Sequence, residues 1–254
     1  MIYDKLPVAL LSLLAAEDAN SANAQIARHL LTHASDECSL SIKSLAFACH
    51  VGVGTVSRFV RDAGFENFSE LRKTFENARN GFERADGNDA QARTIALAQS
   101  IGASVARVAK SIDLNTLALL VADLQSYNKV GTYGLLKAQS AAIDLQVDLL
   151  TLGKLVDTCV PLADQAQRIA TAKSDKLIVV FSYTGAYFDA VDVAQAMCRS
   201  DRPRIWMICG EERPLPPFVH NRLLFLSDHS KLGHPYQLEY VAGLIAQEYA
   251  ATRS

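Results

Sequence analysis

Residues 45–65 read LAFACHVGVGTVSRFVRDAGF. The apolar spacing is that of two short helices rather than one. Leu45, Ala46 and Cys49 share one helical face, while Val53, Val56, Val60 and Ala63 share another. Between them His50-Val51-Gly52 is too short for a loop with its own structure. Gly52 stands where the second helix is capped, a place that tolerates glycine. The opposite face of the second helix carries Gly54, Ser57, Arg58 and Arg61, and is small, polar and cationic. Two short helices joined by a tight turn make a helix-turn-helix. That unit needs a small residue where the helices cross, here Ala46, and a branched apolar residue pinning the second helix, here Val56. It also needs a turn residue able to take positive φ, here His50, a type enriched in that region among non-glycines. The polar face then enters the major groove. Gly54 and Ser57 permit close approach to base edges, Thr55 lies beside them, and Arg58 and Arg61 reach guanine edges or phosphates. The plainer alternative is a helical hairpin whose two arginines are a solvated face.

Around this stretch, residues 4–79 read as helical, beginning with an amphipathic helix in MIYDKLPVALLSLLAAED. Asn20 to Asn23 break the chain with capping residues, a helix spans Gln25 to Thr32 with Ile26 and Leu30 along one side, and residues 33–38 form a loop. Ser41 caps the helix beginning at Ile42, and Gly64 ends the helix that follows the turn. Residues 80–90, NGFERADGNDA, are the expected linker, and a long helix from Ala90 to Ser111 follows, with Ile95, Ala98, Ile101, Val105 and Val108 as its apolar stripe.

From about residue 112 the pattern changes to strand-helix alternation. Strand-like runs are Lys129 to Thr132, Lys154 to Asp157, Lys176 to Phe181, Arg204 to Cys209 and Arg222 to Leu226. Helical runs are Ala138 to Leu150, Asp164 to Ala172, Ala186 to Arg199 and Pro235 to Ala250. LIVVF and RIWMIC are near-continuous apolar runs, as in strands buried on both faces. The alternation predicts a parallel sheet with helices on both sides, whose ligands bind at the carboxyl ends of the strands.

Bulk properties bound the function loosely. The 254 residues allow one large domain or two modest ones, and half are apolar, ample for real cores. A net charge of −2 weighs against nucleic-acid binding by bulk electrostatics, although a local patch suffices. Five scattered cysteines without a CxxC pair read as reduced thiols of a cytoplasmic protein. The histidines show no metal-ligand spacing, and no metal or cofactor is expected. The first residues do not form a convincing signal peptide, and no stretch approaches the roughly 20 apolar residues of a membrane span.

The stretch SIKSLAFACHVGVGTVSRFVRDAGFENFSELRKTF resembles the N-terminal domain of the RpiR family of bacterial transcription regulators. The likeness is carried by Ser41-Ile42, Leu45-Ala46, Val51, Thr55-Val56-Ser57-Arg58-Phe59, Gly64-Phe65, Phe68 and Glu70-Leu71-Arg72. It departs at Gly52, where the family has a serine cap, at a cost of only a few tenths of a kcal/mol, and at Gly54.

Residues 112–254 resemble a SIS domain, the flavodoxin-like phosphosugar-binding module of the same family. Its second phosphate loop has the form S-x-S-G-x-T. Here Ser182, Thr184 and Gly185 match it and Tyr187 replaces the last threonine. Its first loop has the form G-x-G-x-S. Here Gly131 matches, Thr132 follows it, and Tyr133 and Leu135 replace the second glycine and the serine. On its own, Phe181 to Ala186 is a strand-to-helix turn with two hydroxyls and a glycine, which suits an anion or merely caps the helix.

The resemblance therefore implies three parts: a DNA-binding domain over residues 1–79, a linker and connecting helix over 80–111, and a sugar-phosphate-sensing domain over 112–254. It implies a DNA operator, a sugar phosphate or related small anion, and a homodimer or higher homo-oligomer as partners. The rival reading is a sugar-phosphate isomerase or lyase on the same module, with His220, His229, His234 and Glu239 as acid/base candidates. A third is a regulator whose second domain serves only to dimerise.

Overall fold

The computed structural model describes residues 10, 11, 13, 14, 18, 20–32, 41–63, 65–77, 83–227 and 232–252. The expected loop over 33–38, the Gly64 cap, His229, residues 80–82 of the expected linker and the first residues of the N-terminal helix lie outside them. The chain forms two compact units, Met1–Phe82 and Glu83–Ser254.

The first unit is helical: α1 (Ala22–Thr32), α2 (Ile42–Ala48), α3 (Val53–Asp62) and α4 (Phe68–Asn77). Ser21 Oγ accepts from the Ala24 amide at 3.0 Å and opens α1. Ser41 and Ser44 form a reciprocal capping box at the start of α2. The core gathers Leu10, Ile26, Leu30, Leu45, Val56, Phe59 and Leu71, all essentially without solvent contact.

The second unit contains α5 (Ala90–Ser111), α6 (Leu114–Ser126), β1 (Lys129–Gly134), α7 (Lys137–Thr151), α8 (Leu162–Thr171), β2 (Lys176–Phe181), α9 (Tyr187–Ala190), β3 (Arg204–Cys209), β4 (Asn221–Leu224) and α10 (Tyr236–Ala251). The four strands are parallel and ordered β1-β2-β3-β4. On the free edge of β1 the chain returns at Asp157, whose amide donates to Val130 O and whose carbonyl accepts from the Thr132 amide, both at 2.8 Å. The run expected as a strand over Lys154–Asp157 is thus reduced to a single bridge. Counting it, the spatial order is second-first-third-fourth-fifth, the flavodoxin-like winding. Ile178, Val180, Ile205 and Met207 point to the face covered by α8 and the segment from Tyr187 to Met197. Trp206 points the other way and donates to Asp123 Oδ2 of α6 at 2.7 Å.

Two further sequence expectations are corrected, and one helix stands where none was expected. Residues Ala186 to Arg199 are not one helix: α9 is four residues long, and only a three-residue 3₁₀ turn, Ala196–Cys198, follows. Val191 and Val193 are both buried. Their spacing of two is that of extended chain, and Asp192 Oδ1 accepts from the Ala194 amide at 3.2 Å in a side-chain turn. In α5 the buried positions are Ser104 and Val108, whereas Ile95 is 48% exposed, because the N-terminal half of that helix finds no covering element in its own unit. Helix α6 was not anticipated, although Asp113 caps it by accepting from the amides of Asn115 and Thr116 at 3.2 and 3.1 Å.

Candidate functional site

In the first unit, Ala46 is buried where α2 meets α3, Val56 is fully buried beneath α3, and His50 takes φ 53° at the turn. Gly52 caps α3 from extended backbone without a side-chain bond. These contacts fix the roll of α3. Gly54, Arg58 and Arg61 are exposed and Thr55 and Ser57 are half-buried at its rim. Among the described residues Gly54 has no heavy atom within 4 Å of where a Cβ would stand, so none of them requires glycine there. Among the described residues Arg61 Nε makes one long bond, to Ser57 O at 3.4 Å. All five residues expected at DNA lie on the part of α3 that the core leaves uncovered. That face offers two guanidiniums, a hydroxyl rim and open backbone at Gly54, groups suited to base edges and phosphates.

In the second unit, the two loops expected to hold an anion differ sharply. The first is closed by the protein's own groups. Thr132 is fully buried and its hydroxyl donates to Ala142 O at 2.9 Å. Tyr133 is fully buried, and its hydroxyl donates to Asp157 Oδ2 at 3.2 Å. Its ring lies over Gly131, where a Cβ would come within 2.8 Å of the Tyr133 hydroxyl. Gly131 therefore makes room for a ring, not for a ligand. Gln139 Oε1 accepts from the Gly134 amide at 3.3 Å, and Gln165 Nε2 donates to Gly134 O at 2.9 Å. Leu136, next along, holds φ 52° and ψ −121°, a conformation costing a non-glycine residue about 1–3 kcal/mol.

Tyr187 of the second loop also turns inward. It is 2% exposed, its hydroxyl donates to Gln165 Oε1 at 2.6 Å, and its ring meets Phe188 edge-on at 5.0 Å. Burial pushes the Tyr187 and Tyr133 hydroxyls well above the usual phenol range, so both stay protonated donors. Asp157 is shared by Tyr133, Arg168 and Lys176. Burial works against its charge, but the Arg168 and Lys176 bonds outweigh it and hold its carboxyl below the usual range. Tyr133, Asp157, Gln139 and Gln165 thus tie β1 to its neighbours. The glutamines carry no sequence signal, being far apart and of a type that is usually exposed.

In the turn from Ser182 to Ala186, Thr184 and Ala186 are half-buried, while Ser182, Tyr183 and Gly185 are buried. Gly185 has φ 68°, a left-handed turn favouring glycine, and its amide donates to Ser182 O at 2.9 Å. Thr184 Oγ1 accepts from the Ala186 amide at 3.4 Å, a weak cap. Because α9 is a single turn, it lacks the aligned peptides of a macrodipole, so the expected helix-start attraction for an anion falls away.

The three acid/base candidates among the described residues, His220, His234 and Glu239, have structural partners. His220 Nδ1 accepts from the Ile205 amide at 3.1 Å. Burial, with Arg202 and Arg204 nearby, lowers its pKa. His234 is buried against the Tyr183 ring, centroids 4.6 Å apart, and burial with Lys137 nearby lowers its pKa to about 4. Glu239 Oε1 accepts from Ser140 Oγ at 2.8 Å. Among the described residues no group of three or more His, Cys, Asp or Glu side chains is placed to hold a metal.

Residues 13–79 match the helix-turn-helix domain of the rpiR family. Across 186 residues, 70% of this chain, the sequence is 27% identical to the HTH-type transcriptional regulator HexR of Pseudomonas aeruginosa, and the match spans 65% of that protein's length. The fold resembles that of Vibrio vulnificus NanR, solved in complex with ManNAc-6P, with a TM-score of 0.57 at 18% identity over 96% of this chain and 92% of that one. A Listeria monocytogenes structure described as a putative sugar-phosphate isomerase shares it with a TM-score of 0.53 at 11% identity, over 66% of this chain and 93% of its own. At these identities the two structures speak for the fold alone.

Proposed function

We propose that this chain, which belongs to the rpiR family, is a DNA-binding transcription regulator whose α/β unit responds to a phosphorylated sugar or related small anion. The observation that carries the reading is the α3 face, where Arg58, Arg61, Ser57, Thr55 and Gly54 are left outside a core that buries Val56 and Phe59. HexR, the relative named above, is a transcriptional regulator, and NanR was solved with a sugar phosphate. The protein works in the cytoplasm, consistent with the described residues having no helix long and apolar enough to cross a membrane. Residues 1–79 bind DNA, 80–111 connect, and 112–254 sense and assemble. The assembly is a homodimer or higher homo-oligomer, because one helix-turn-helix reads few base pairs and pairs on palindromic sites. An effector that prefers one arrangement of the paired DNA domains shifts operator affinity by its differential binding to the two states. No catalytic step is assigned: His220 is committed to the Ile205 amide and Glu239 is bonded to Ser140.

A second reading, assembly without sensing, is favoured by one observation: Thr132, Tyr133 and Tyr187 spend their hydroxyls inside the protein. One experiment separates the two. The full chain selects duplexes from a random pool, and the enriched site is then titrated with and without sugar phosphates. A palindromic site whose affinity moves with a sugar phosphate supports sensing. An enriched site indifferent to every sugar phosphate supports assembly only, and no enrichment refutes the regulator.

A further inference from the structure

Two groups border the Ser182–Gly185 turn at its half-buried residue, Thr184. The first is the Thr184 amide, which enters no hydrogen bond among the described residues. The second is Arg213, from the segment between β3 and β4. Its stem lies on Gly185: a Cβ there would stand 3.0 Å from Arg213 Cδ and 3.1 Å from Cγ. Its backbone is anchored, because Arg222 Nη1 donates to Arg213 O at 2.9 Å. Its guanidinium meets Asp189 of α9 through both terminal nitrogens, at 3.0 and 3.4 Å, with the two side chains 36% and 62% exposed. So exposed a pair is weakly held and easily exchanged.

The chemistry of the loop makes that exchange meaningful. The side-chain hydroxyls of the first loop, Thr132 and Tyr133, are committed inside the protein, and α9 is too short to attract an anion by its dipole. A guanidinium supplies a planar fork of donors that matches phosphate oxygens, and a phosphate monoester carries more charge than the carboxylate it displaces.

We infer that Arg213 is the cation of the effector site: it rests on Asp189 in the free protein and transfers to the anionic group of a phosphorylated ligand seated at Ser182–Gly185. Asp189 is then a built-in competitor, and its release couples ligand binding to the α9 segment. This rests on the sensing reading above.

Calorimetry on the full chain tests it, with inorganic phosphate, glucose 6-phosphate and ManNAc-6P as probes and melting temperature as the folding control. Arg213→Ala should bind the responding probe about ten- to a hundredfold more weakly, the loss of a charge-assisted bond. Arg213→Gln, which keeps the stem over Gly185, should show the same loss should the alanine variant unfold. Asp189→Asn should tighten binding about two- to fivefold, and that gain should vanish in the Arg213→Ala background. Wild-type affinity in Arg213→Ala and Arg213→Gln overturns the inference and leaves sensing intact. An equal gain from Asp189→Asn with and without Arg213 means simple repulsion and also overturns it. No heat from the wild type with any probe overturns sensing and this inference together.

Discussion

Restoring the family's loop residues should damage this protein instead of repairing it. The double change Leu135→Ser and Tyr187→Thr recreates the hydroxyl pattern of a phosphosugar cup, and on sequence grounds it should strengthen binding. In the structure Tyr187 is 2% exposed, packs edge-on against Phe188, and is the hydroxyl that satisfies Gln165 Oε1. Truncating a buried ring to a small side chain costs about 3–5 kcal/mol in lost burial and cavity. Leaving the Gln165 acceptor without its donor costs about 1–3 kcal/mol more. Tyr187→Phe separates the two, since it keeps the ring and removes only the donor, and should lose about 1–3 kcal/mol. Urea unfolding at neutral pH measures both variants, and calorimetry with ManNAc-6P measures any gain of binding. A Tyr187→Thr protein within about 1 kcal/mol of wild type, or one that gains tight phosphosugar binding, would refute the assignment of Tyr187 to the core.

Other expectations follow from the same geometry. Gly131→Ala brings a Cβ to 2.8 Å from the Tyr133 hydroxyl, and should cost about 1–3 kcal/mol by overpacking; an unchanged melting temperature would contradict the ring's placement. His234 prefers the neutral form in the fold, its pKa lowered from 6.5 to about 4 by burial and Lys137. Its contribution is therefore complete above the unfolded pKa and is lost as pH falls toward 4, by about 3 kcal/mol in all. His234→Gln should flatten that part of the pH-stability curve, and an unaltered slope would count against it. Ile143, Val147 and Leu150 form an exposed apolar stripe along α7, 38%, 52% and 56% exposed. Val147→Glu should lower the assembly state seen by light scattering if this stripe meets another copy, and no change would place the interface elsewhere.

The elements that sequence predicted well are those whose local pattern and tertiary role agree. Lys176–Phe181 and Arg204–Cys209 are continuous apolar runs that become central strands with those bounds. The helix-turn-helix was legible because Ala46, His50 and Val56 each answer a steric demand of the motif. The segment after Ala186 misled because its composition suits a helix, while its spacing of Val191 and Val193 suits extended chain, and burial decides in favour of the second. Gly131 misled because a glycine beside a strand end admits either a ligand or a neighbouring ring, and only three-dimensional placement distinguishes them. Gln139, Gln165 and Arg213 were invisible for a different reason: the Gln139–Gln165, Gln165–Gly134 and Arg213–Asp189 contacts each span more than 20 residues of chain, between partners no motif names. Sequence periodicity describes faces, not who meets whom across a domain.

The central claim is that the uncovered face of α3 reads DNA, and it is tested most directly by fluorescence anisotropy with the duplex selected by the full chain. Wild type is compared with Arg58→Ala/Arg61→Ala over a range of salt. Among the described residues neither arginine makes a bond that holds the core, so the melting temperature should be unchanged. Losing two guanidinium contacts at about 1–3 kcal/mol each for base-edge arginines should weaken cognate binding at least tenfold, with a shallower dependence on salt wherever a phosphate contact is lost. Wild-type affinity and an unaltered salt slope in the double variant would contradict the account.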